Sequence, residues 1–271
     1  MDTATLAAPQ PMTKTIIDVG EKFPALPHAP SVEAIVDIRA TPTDIPNEES
    51  LKNFAQEKFR NYQYRDSSRA IRYQATVSTN QPPTHTIQDM GWRGVHFQSE
   101  DQKYIAQFNR DGFTLNRLEP YQSWDQFQTE AMRLWNGYAE FVKPTQIHRV
   151  GLRYVNRIQM PAGDLNFEDY LDVAPSTPKD MDLPVLGFLH QDTVVVPEYP
   201  YVVNIIKTVQ PPNPSVGMGY GLILDIDVTT TQPFDYNYTK LKNHLNEMRW
   251  LKNKVFFGTI KQKSLEMFQQ L

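Results

Sequence analysis

Apolar and polar residues alternate along several stretches of the chain, which is the pattern of β-strands with one buried face. The clearest case is the stretch 32–39, where every second residue is alanine, valine or isoleucine. The same reasoning predicts further strands at 69–78, 92–98, 103–109, 113–118, 147–160, 185–196, 200–209 and 221–229. The dipeptide Asp111-Gly112 predicts a tight hairpin turn between two of them, because glycine tolerates the positive φ that such turns require.

Other stretches repeat apolar residues at steps of three and four, which predicts amphipathic helices. A first helix is expected at about 48–62, and a second runs from the capping box 123–126 to the residue before Pro144. Two helices are expected at the end of the chain. The first buries Leu241, Leu245, Met248 and Leu251, and the short second one opens at another capping box, 259–262.

The order of these elements predicts the fold class. Strands follow one another in runs, so antiparallel pairing should dominate. We therefore expect an α+β fold, with predominantly antiparallel sheet packed against a few amphipathic helices. Residues 1–15 are expected to form a flexible tail and 16–271 a single compact unit. The strands at 32–39 and 222–228 look alike and each precedes a helix, which leaves open two similar lobes, 16–160 and 161–271.

Composition and charge exclude several classes of function. The 271 residues carry a net charge of −4, whereas a protein that binds duplex nucleic acid usually has a basic excess. The chain contains no cysteine, which excludes disulfides, thiol catalysis and thiolate-bound metals. The N-terminus lacks the pattern of a secretory signal, and no stretch has the ~20 apolar residues of a membrane span. We therefore expect a cytoplasmic protein without membrane attachment.

The most informative segment is the predicted strand 147–160. Arg149, Arg153 and Arg157 recur at steps of four, so on a strand they share one face at a spacing of roughly 13 Å. Three guanidinium groups in a row on a rigid strand suit phosphates or carboxylates. An alternative is a solvated face on which these arginines pair with neighbouring aspartates and glutamates.

Residues near the start of the second helix extend this interpretation. Arg117 would lengthen the basic stripe if its strand pairs with 147–160, and Tyr121 follows it closely. The candidate binding residues are therefore Arg149, Arg153, Arg157, Arg117, Tyr121 and Asn156. The sequence assigns no catalytic residue, no metal ligand and no cofactor.

Three other motifs have weaker support. The segment 222–229 resembles the first motif of haloacid-dehalogenase-type phosphatases, D-x-D-x-T, but only 42 residues follow it, too few for that domain. We interpret it as a half-buried strand with Asp225 and Asp227 facing solvent. The glycine-rich stretch 217–221 precedes a strand instead of a helix, so we interpret it as a turn. The six histidines show no spacing typical of metal ligands.

Four segments together carry a family resemblance: 30–39, 113–121 with Trp124, 149–158 and 256–260. They resemble an uncharacterised family of bacterial proteins with a sporadic distribution, and the likeness extends over nearly the whole chain from about residue 30. The resemblance implies no particular activity. Its patchy distribution implies an accessory role in mobile-element or antiviral defence gene clusters.

Three hypotheses follow. We expect a non-enzymatic binding or regulatory protein whose arginine-bearing strand holds a protein partner or an anionic ligand, such as a nucleotide or nucleic acid. Replacing Arg153 and Arg157 with alanine should then abolish binding with little change in melting temperature.

The alternative is a metal-dependent enzyme for a phosphorylated small molecule or nucleotide in a sheet-walled cavity, with Mg²⁺ ligands from Glu33, Asp37, Asp225 and Asp227. The third is a homo-oligomer that pairs through open sheet edges.

Overall fold

The computed structural model describes residues 15–79, 81–173, 175, 183–213, 215 and 218–269, without the side chains of residues 81 and 83. The strands are β1 (Ser31–Pro42), β2 (Tyr62–Ser78), β3 (Gln81–Ser99), β4 (Tyr104–Asn109), β5 (Gly112–Leu118), β6 (Pro144–Gln159), β7 (Leu189–Val196), β8 (Tyr201–Gln210), β9 (Gly221–Thr230) and β10 (Phe234–Asp235). The helices are α1 (Glu48–Lys58), α2 (Trp124–Val142), α3 (Tyr238–Thr259) and α4 (Gln262–Gln269), with a 3₁₀ turn at Phe167–Asp169.

The ten strands of the described chain form one sheet, and every pair is antiparallel. The order across the sheet is β2-β3-β4-β5-β1-β6-β9-β8-β7, with β10 paired to β6. This architecture confirms the predicted α+β class. The pairing of β6 with β9 joins strands from both halves of the chain, so the two suggested lobes share a single sheet.

The helices cover one face of the sheet and leave the other open. Helix α1 packs on β2 and β3, α2 packs on β5, and α3 packs on β6, β8 and β9. Side chains on the covered face are fully buried, among them Val36, Leu152 and Ile226. Burial of one such aliphatic side chain stabilises the fold by roughly 1.5–3 kcal/mol. None of the described helices is both long and apolar enough to cross a bilayer.

Most predicted elements are present, and the differences have local causes. The expected hairpin at 109–112 is confirmed, since Asn109 pairs with Gly112, and its two turn residues are Arg110 and Asp111. Helix α1 ends four residues early, because Phe59 leaves the helix with φ −118° and Tyr62 already begins β2. The prediction of a capping box at 259–262 was wrong. Thr259 lies inside α3, whose last turn continues through it to the C-cap Ile260.

One large feature was predicted only in part, a long hairpin formed by the outer halves of β2 and β3. The strand at 69–78 was expected, whereas its partner at 81–91 was not. Residues 69–78 of β2 pair with 81–92 of β3, beyond the point where β4 joins the sheet at Gly94. We call residues 69–79 and 81–91 the β-arm. Its described side chains from residue 72 onwards are exposed on both faces.

Candidate functional site

The arginine-bearing segment has the extended geometry that its sequence predicted. It lies within β6, between β1 and β9. The alternate residues Val150, Leu152 and Tyr154 are fully buried beneath the helices. Arg149, Arg153 and Arg157 of the stripe therefore point to the open face of the sheet.

Two of the three arginines are bound by carboxylates of the same chain. The Nη1 atom of Arg149 donates to Asp37 at 2.8 Å, and its Nη2 lies 3.7 Å from Asp227. Arg153 forms two hydrogen bonds to Asp225, from Nε at 2.8 Å and from Nη2 at 2.5 Å. The alternative of a solvated, ion-paired face therefore describes Arg149 and Arg153.

The carboxylates proposed as magnesium ligands are used in these contacts. Asp37 accepts from Thr114 and from Arg149, and Glu33 accepts from Asn116 at 2.7 Å. Burial raises the pKa of Asp227 against the opposing effect of two nearby arginines. Among the described residues, no group of three or more histidine, aspartate or glutamate side chains is placed to hold a metal ion.

Arg157 differs from the other two arginines. Its Nε and Nη2 atoms are buried and have no hydrogen-bond partner within the described part of the chain. The side chain lies against Gly221, where a Cβ atom would approach Nε to 2.5 Å. It borders a shallow groove of about 590 Å³ that also contains Glu119.

Arg117 does not extend the stripe, because it lies on the opposite face of the sheet. Its partner on β1 is Ala34, a buried residue of the covered face. Arg117 is only 3% exposed, and its Nη2 donates to the carbonyl oxygen of Pro120 at 2.9 Å. The guanidinium lies 4.7 Å from the centroid of the Tyr104 ring. Arg117 thus attaches the connection before α2 to the sheet.

Tyr121 and Asn156 lie together in a different place, a pocket of about 440 Å³ at one end of the helix layer. We call it the Lys252 pocket. Four parts of the chain form its walls: an extended stretch before β1, the start of α2, one end of β6 and the last turns of α3. Its described lining residues are Phe23, Pro24, Ala25, Leu26, Pro27, Ala29, Pro30, Ser31, Tyr121, Gln122, Ser123, Trp124, Tyr154, Asn156, Arg249, Lys252, Asn253, Phe256 and Phe257.

Two cations from α3 enter this pocket without a counter-ion. The Nζ atom of Lys252 lies 4.1 Å from the centroid of the Tyr154 ring, and the guanidinium of Arg249 lies 5.7 Å from that of Trp124. Within the described residues, neither cation has a hydrogen-bond or ion-pair partner, and no aspartate or glutamate lines the pocket. Burial, together with the adjacent Arg249, lowers the pKa of Lys252 to about 7.

A pair of tyrosine hydroxyls lies beside these cations. The hydroxyls of Tyr121 and Tyr154 are 2.8 Å apart. Burial raises the pKa of Tyr121 to about 12 and the pKa of Tyr154 well above its ordinary value, so both stay protonated at neutral pH. One of the two hydrogens forms the bond between them, and the other is available to a bound acceptor.

The wall before β1 is an extended segment, residues 23–31, which we call the strap. Prolines at positions 24, 27 and 30 keep it from forming a helix. Phe23 stacks on Phe257 with ring centroids 5.5 Å apart, and Ser31 donates to the Oδ1 atom of Asn156 at 2.7 Å. The amide of Asn156 donates to the carbonyl of Leu224 at 3.0 Å, so this side chain fixes the wall of the pocket.

Arg249 and Lys252 were missed in the sequence, although one signal was present. They lie three residues apart on α3, so they are neighbours on the helix surface. No acidic residue occupies the positions three or four residues from either of them. A like-charged pair without such support on a helix indicates a role outside the helix itself.

No family model, curated protein or solved structure matches this chain, and the resemblance to the sporadic bacterial family stays a prediction.

Proposed function

We propose that this chain is a non-enzymatic binding protein that holds a small organic anion in the Lys252 pocket. The observation that carries the proposal is the pair Arg249 and Lys252, two cations in one pocket without a carboxylate among its described lining residues. The proposal keeps the anionic ligand expected from the sequence and moves its site from the open sheet face to the helix layer.

The charge balance of the pocket supports an anionic occupant. A partly buried cation without a counter-ion is unfavourable, and the lowered pKa of Lys252 reflects that cost. An anion bound between Lys252 and Arg249 would relieve it. The free hydroxyl hydrogen of the Tyr121–Tyr154 pair would add one neutral donor, and the first turn of α2, which begins at Trp124, adds a favourable dipole.

The size and walls of the pocket indicate the rest of the ligand. A volume of about 440 Å³ is in the range of small-molecule sites. Phe23, Leu26, Phe256 and the rings above the cations make part of its wall apolar. We therefore infer a carboxylate or phosphate attached to an aromatic or aliphatic body, and the net charge of −4 disfavours a long polyanion.

The test compares matched ligands by isothermal titration calorimetry. The probes are 4-phenylbutyrate, 4-phenylbutyl phosphate and the uncharged 4-phenylbutyramide. We expect at least one anion to bind and the amide to bind at least about tenfold more weakly, which corresponds to about 1.4 kcal/mol. The carboxylate and phosphate probes distinguish the two sources of negative charge.

Variants locate the site. Lys252→Met should weaken anion binding at least about tenfold, because it removes the charge and keeps the length of the side chain. Lys242→Met is the matched control, since it removes the same charge from an exposed position of the same helix. Equal binding of the amide, or equal loss in both variants, would contradict the proposal.

We propose an accessory or regulatory role for this binding, in the cytoplasm of a bacterium. The support for it is the family resemblance, whose patchy distribution implies a mobile-element or defence setting. Under this proposal the ligand acts as a signal and is released from the pocket without chemical change. Recovery of intact probe after prolonged incubation, measured by chromatography, tests that point, and conversion of the probe would contradict it.

A further inference from the structure

The β-arm has one apolar face and one polar face. On the apolar face, Ile71, Tyr73, Val77 and Ile87 are 67%, 61%, 79% and 72% exposed. Tyr73 lies directly opposite Ile87 in the hairpin, so the apolar side chains form a stripe along β2, and β3 adds His85 and Asp89 to the same face. The opposite face carries Arg72, Gln74, Thr76, Thr84, Thr86 and Gln88. A hairpin with solvent on both faces is marginally stable, so an apolar stripe on it indicates a missing partner.

The two edges of the β-arm differ in their readiness to pair. β2 is the last strand of the sheet, so its outer backbone groups have no neighbouring strand in the described chain. From Tyr73 to Ile87 the sequence contains no aspartate, glutamate, lysine or arginine, the charges that usually protect an exposed edge. β3 carries Pro82 and Pro83 near its start, and these residues cannot donate backbone hydrogen bonds. Only the β2 edge is therefore open along its length.

We propose that the β2 edge of the arm pairs with the same edge of a second copy of this chain, antiparallel and around a two-fold axis at Gln74. In this register Ile71 faces Val77 of the second copy, and Tyr73 faces Ala75 of the second copy. Arg72 faces a threonine, Thr76 of the second copy, so no like charges oppose each other. Among the registers that align the apolar faces, this one pairs each of the four apolar residues of that face on β2 with another of the four: Ile71, Tyr73, Ala75 and Val77.

The symmetry of the β2 edge favours a second copy of the chain over an unrelated partner. A two-fold interface uses the same patch twice, so the patch must complement itself. The β2 edge meets that requirement because it is uncharged from Tyr73 to its end and the residues of its apolar face lie symmetrically about Gln74. The result would be a four-stranded unit in which the apolar side chains of the two copies pack against each other across the shared edge.

The register can be tested directly because the chain has no cysteine of its own. Gln74→Cys places two thiols opposite each other across the two-fold axis, with Cα atoms about 4.5–5.5 Å apart, within the range of a disulfide. Arg72→Cys is the matched control, because its two thiols would lie four residues apart along the strands, roughly 13 Å. We expect Gln74→Cys to give a covalent dimer on non-reducing gels after mild oxidation, and Arg72→Cys to give little.

A second measurement tests the interface without a cross-link. Light scattering after size exclusion should give the mass of a dimer for the wild-type chain at high concentration. It should give a monomer for Ile71→Lys/Val77→Lys, with an unchanged circular dichroism spectrum. Thr84→Lys, on the polar face and on β3, should remain dimeric. A monomeric wild-type chain, a dimer that survives the double lysine variant, or a covalent dimer formed equally by both cysteine variants would each overturn the proposal.

Discussion

Replacing Lys252 with methionine is expected to stabilise the ligand-free protein. The lysine places a cation over the ring of Tyr154 without a carboxylate partner in the described chain. Methionine has a similar length and suits an apolar site. The same substitution should weaken anion binding, so the residue would lower stability and support function at once.

The magnitude follows from the pKa of Lys252. A fall from 10.5 to about 7 corresponds to about 5 kcal/mol, at about 1.4 kcal/mol for each pH unit. Lys252 is partly exposed, so solvent screening reduces this figure. We expect Lys252→Met to raise the free energy of unfolding by about 2–3 kcal/mol at pH 6.5.

The lowered pKa of Lys252 also determines how the stability difference between the variant and the wild type changes with pH. Between pH 7 and 10.5 the unfolded chain holds a proton on Lys252 and the folded chain does not. The stability contributed by this group therefore rises with pH through that window, and the full penalty is present below pH 7. The difference between variant and wild type should be largest below pH 7 and should become small near pH 10. Arg249, Tyr121 and Tyr154 are the other groups of the pocket that can carry charge.

The assay is urea denaturation of both proteins at pH 6.5, 8 and 9.5, with Lys242→Met as the control for loss of a surface charge. A difference independent of pH would refute the reasoning, because it would show that Lys252 keeps an ordinary pKa. A variant less stable than the wild type at every pH would also refute it. The control should stay within about 0.5 kcal/mol of the wild type at each pH.

Three further predictions concern the rest of the fold. Arg153→Ala should destabilise the protein by about 1–3 kcal/mol in urea denaturation, because it leaves the buried Asp225 without its two charged hydrogen bonds. This prediction revises the unchanged melting temperature expected from the sequence. An unchanged urea midpoint would contradict the structure. Gly137→Ala should destabilise the protein by about 1–3 kcal/mol, since the new Cβ would lie 2.6 Å from the Phe59 ring. Gly258→Ala should stabilise the protein by up to about 1 kcal/mol, because this position on α3 has open space around it. An NMR titration should give His244 a pKa below its ordinary value, because burial disfavours its charged form, and an ordinary value would show that the ring is solvated.

The fold was largely predictable where burial is one-sided. The stretch 32–39 alternates because β1 lies under the helices on one face and meets solvent on the other, and the structure shows that alternation residue by residue. The inner part of β2 and the outer part of β3 were harder to predict. Residues 62–68 are mostly polar and 81–91 contain two prolines, so neither shows the apolar alternation of a half-buried strand.

The site was predictable only in part. The strand geometry of Arg149, Arg153 and Arg157 followed from periodicity, but their partners lie on β1 and β9, far away in sequence. Tyr121 and Asn156 were named as binding residues for their proximity to the basic stripe, and they instead line the Lys252 pocket on the other face. That pocket exists because the strap folds back over α3, a long-range contact that local patterns do not encode.

The strap gives the Lys252 pocket a removable side. It is attached by a ring stack, a serine hydroxyl and two backbone hydrogen bonds, one from the His28 amide to the carbonyl of Phe268 and one from the Arg157 amide to the carbonyl of Pro30. It belongs to no strand of the sheet before Ser31. Its detachment would expose the pocket while the ten strands stay paired. Ligand exchange would then proceed at the rate of this local opening. A bound anion would slow hydrogen exchange in the strap and at the Arg157 amide that it holds, while leaving the earlier part of β6 unaffected.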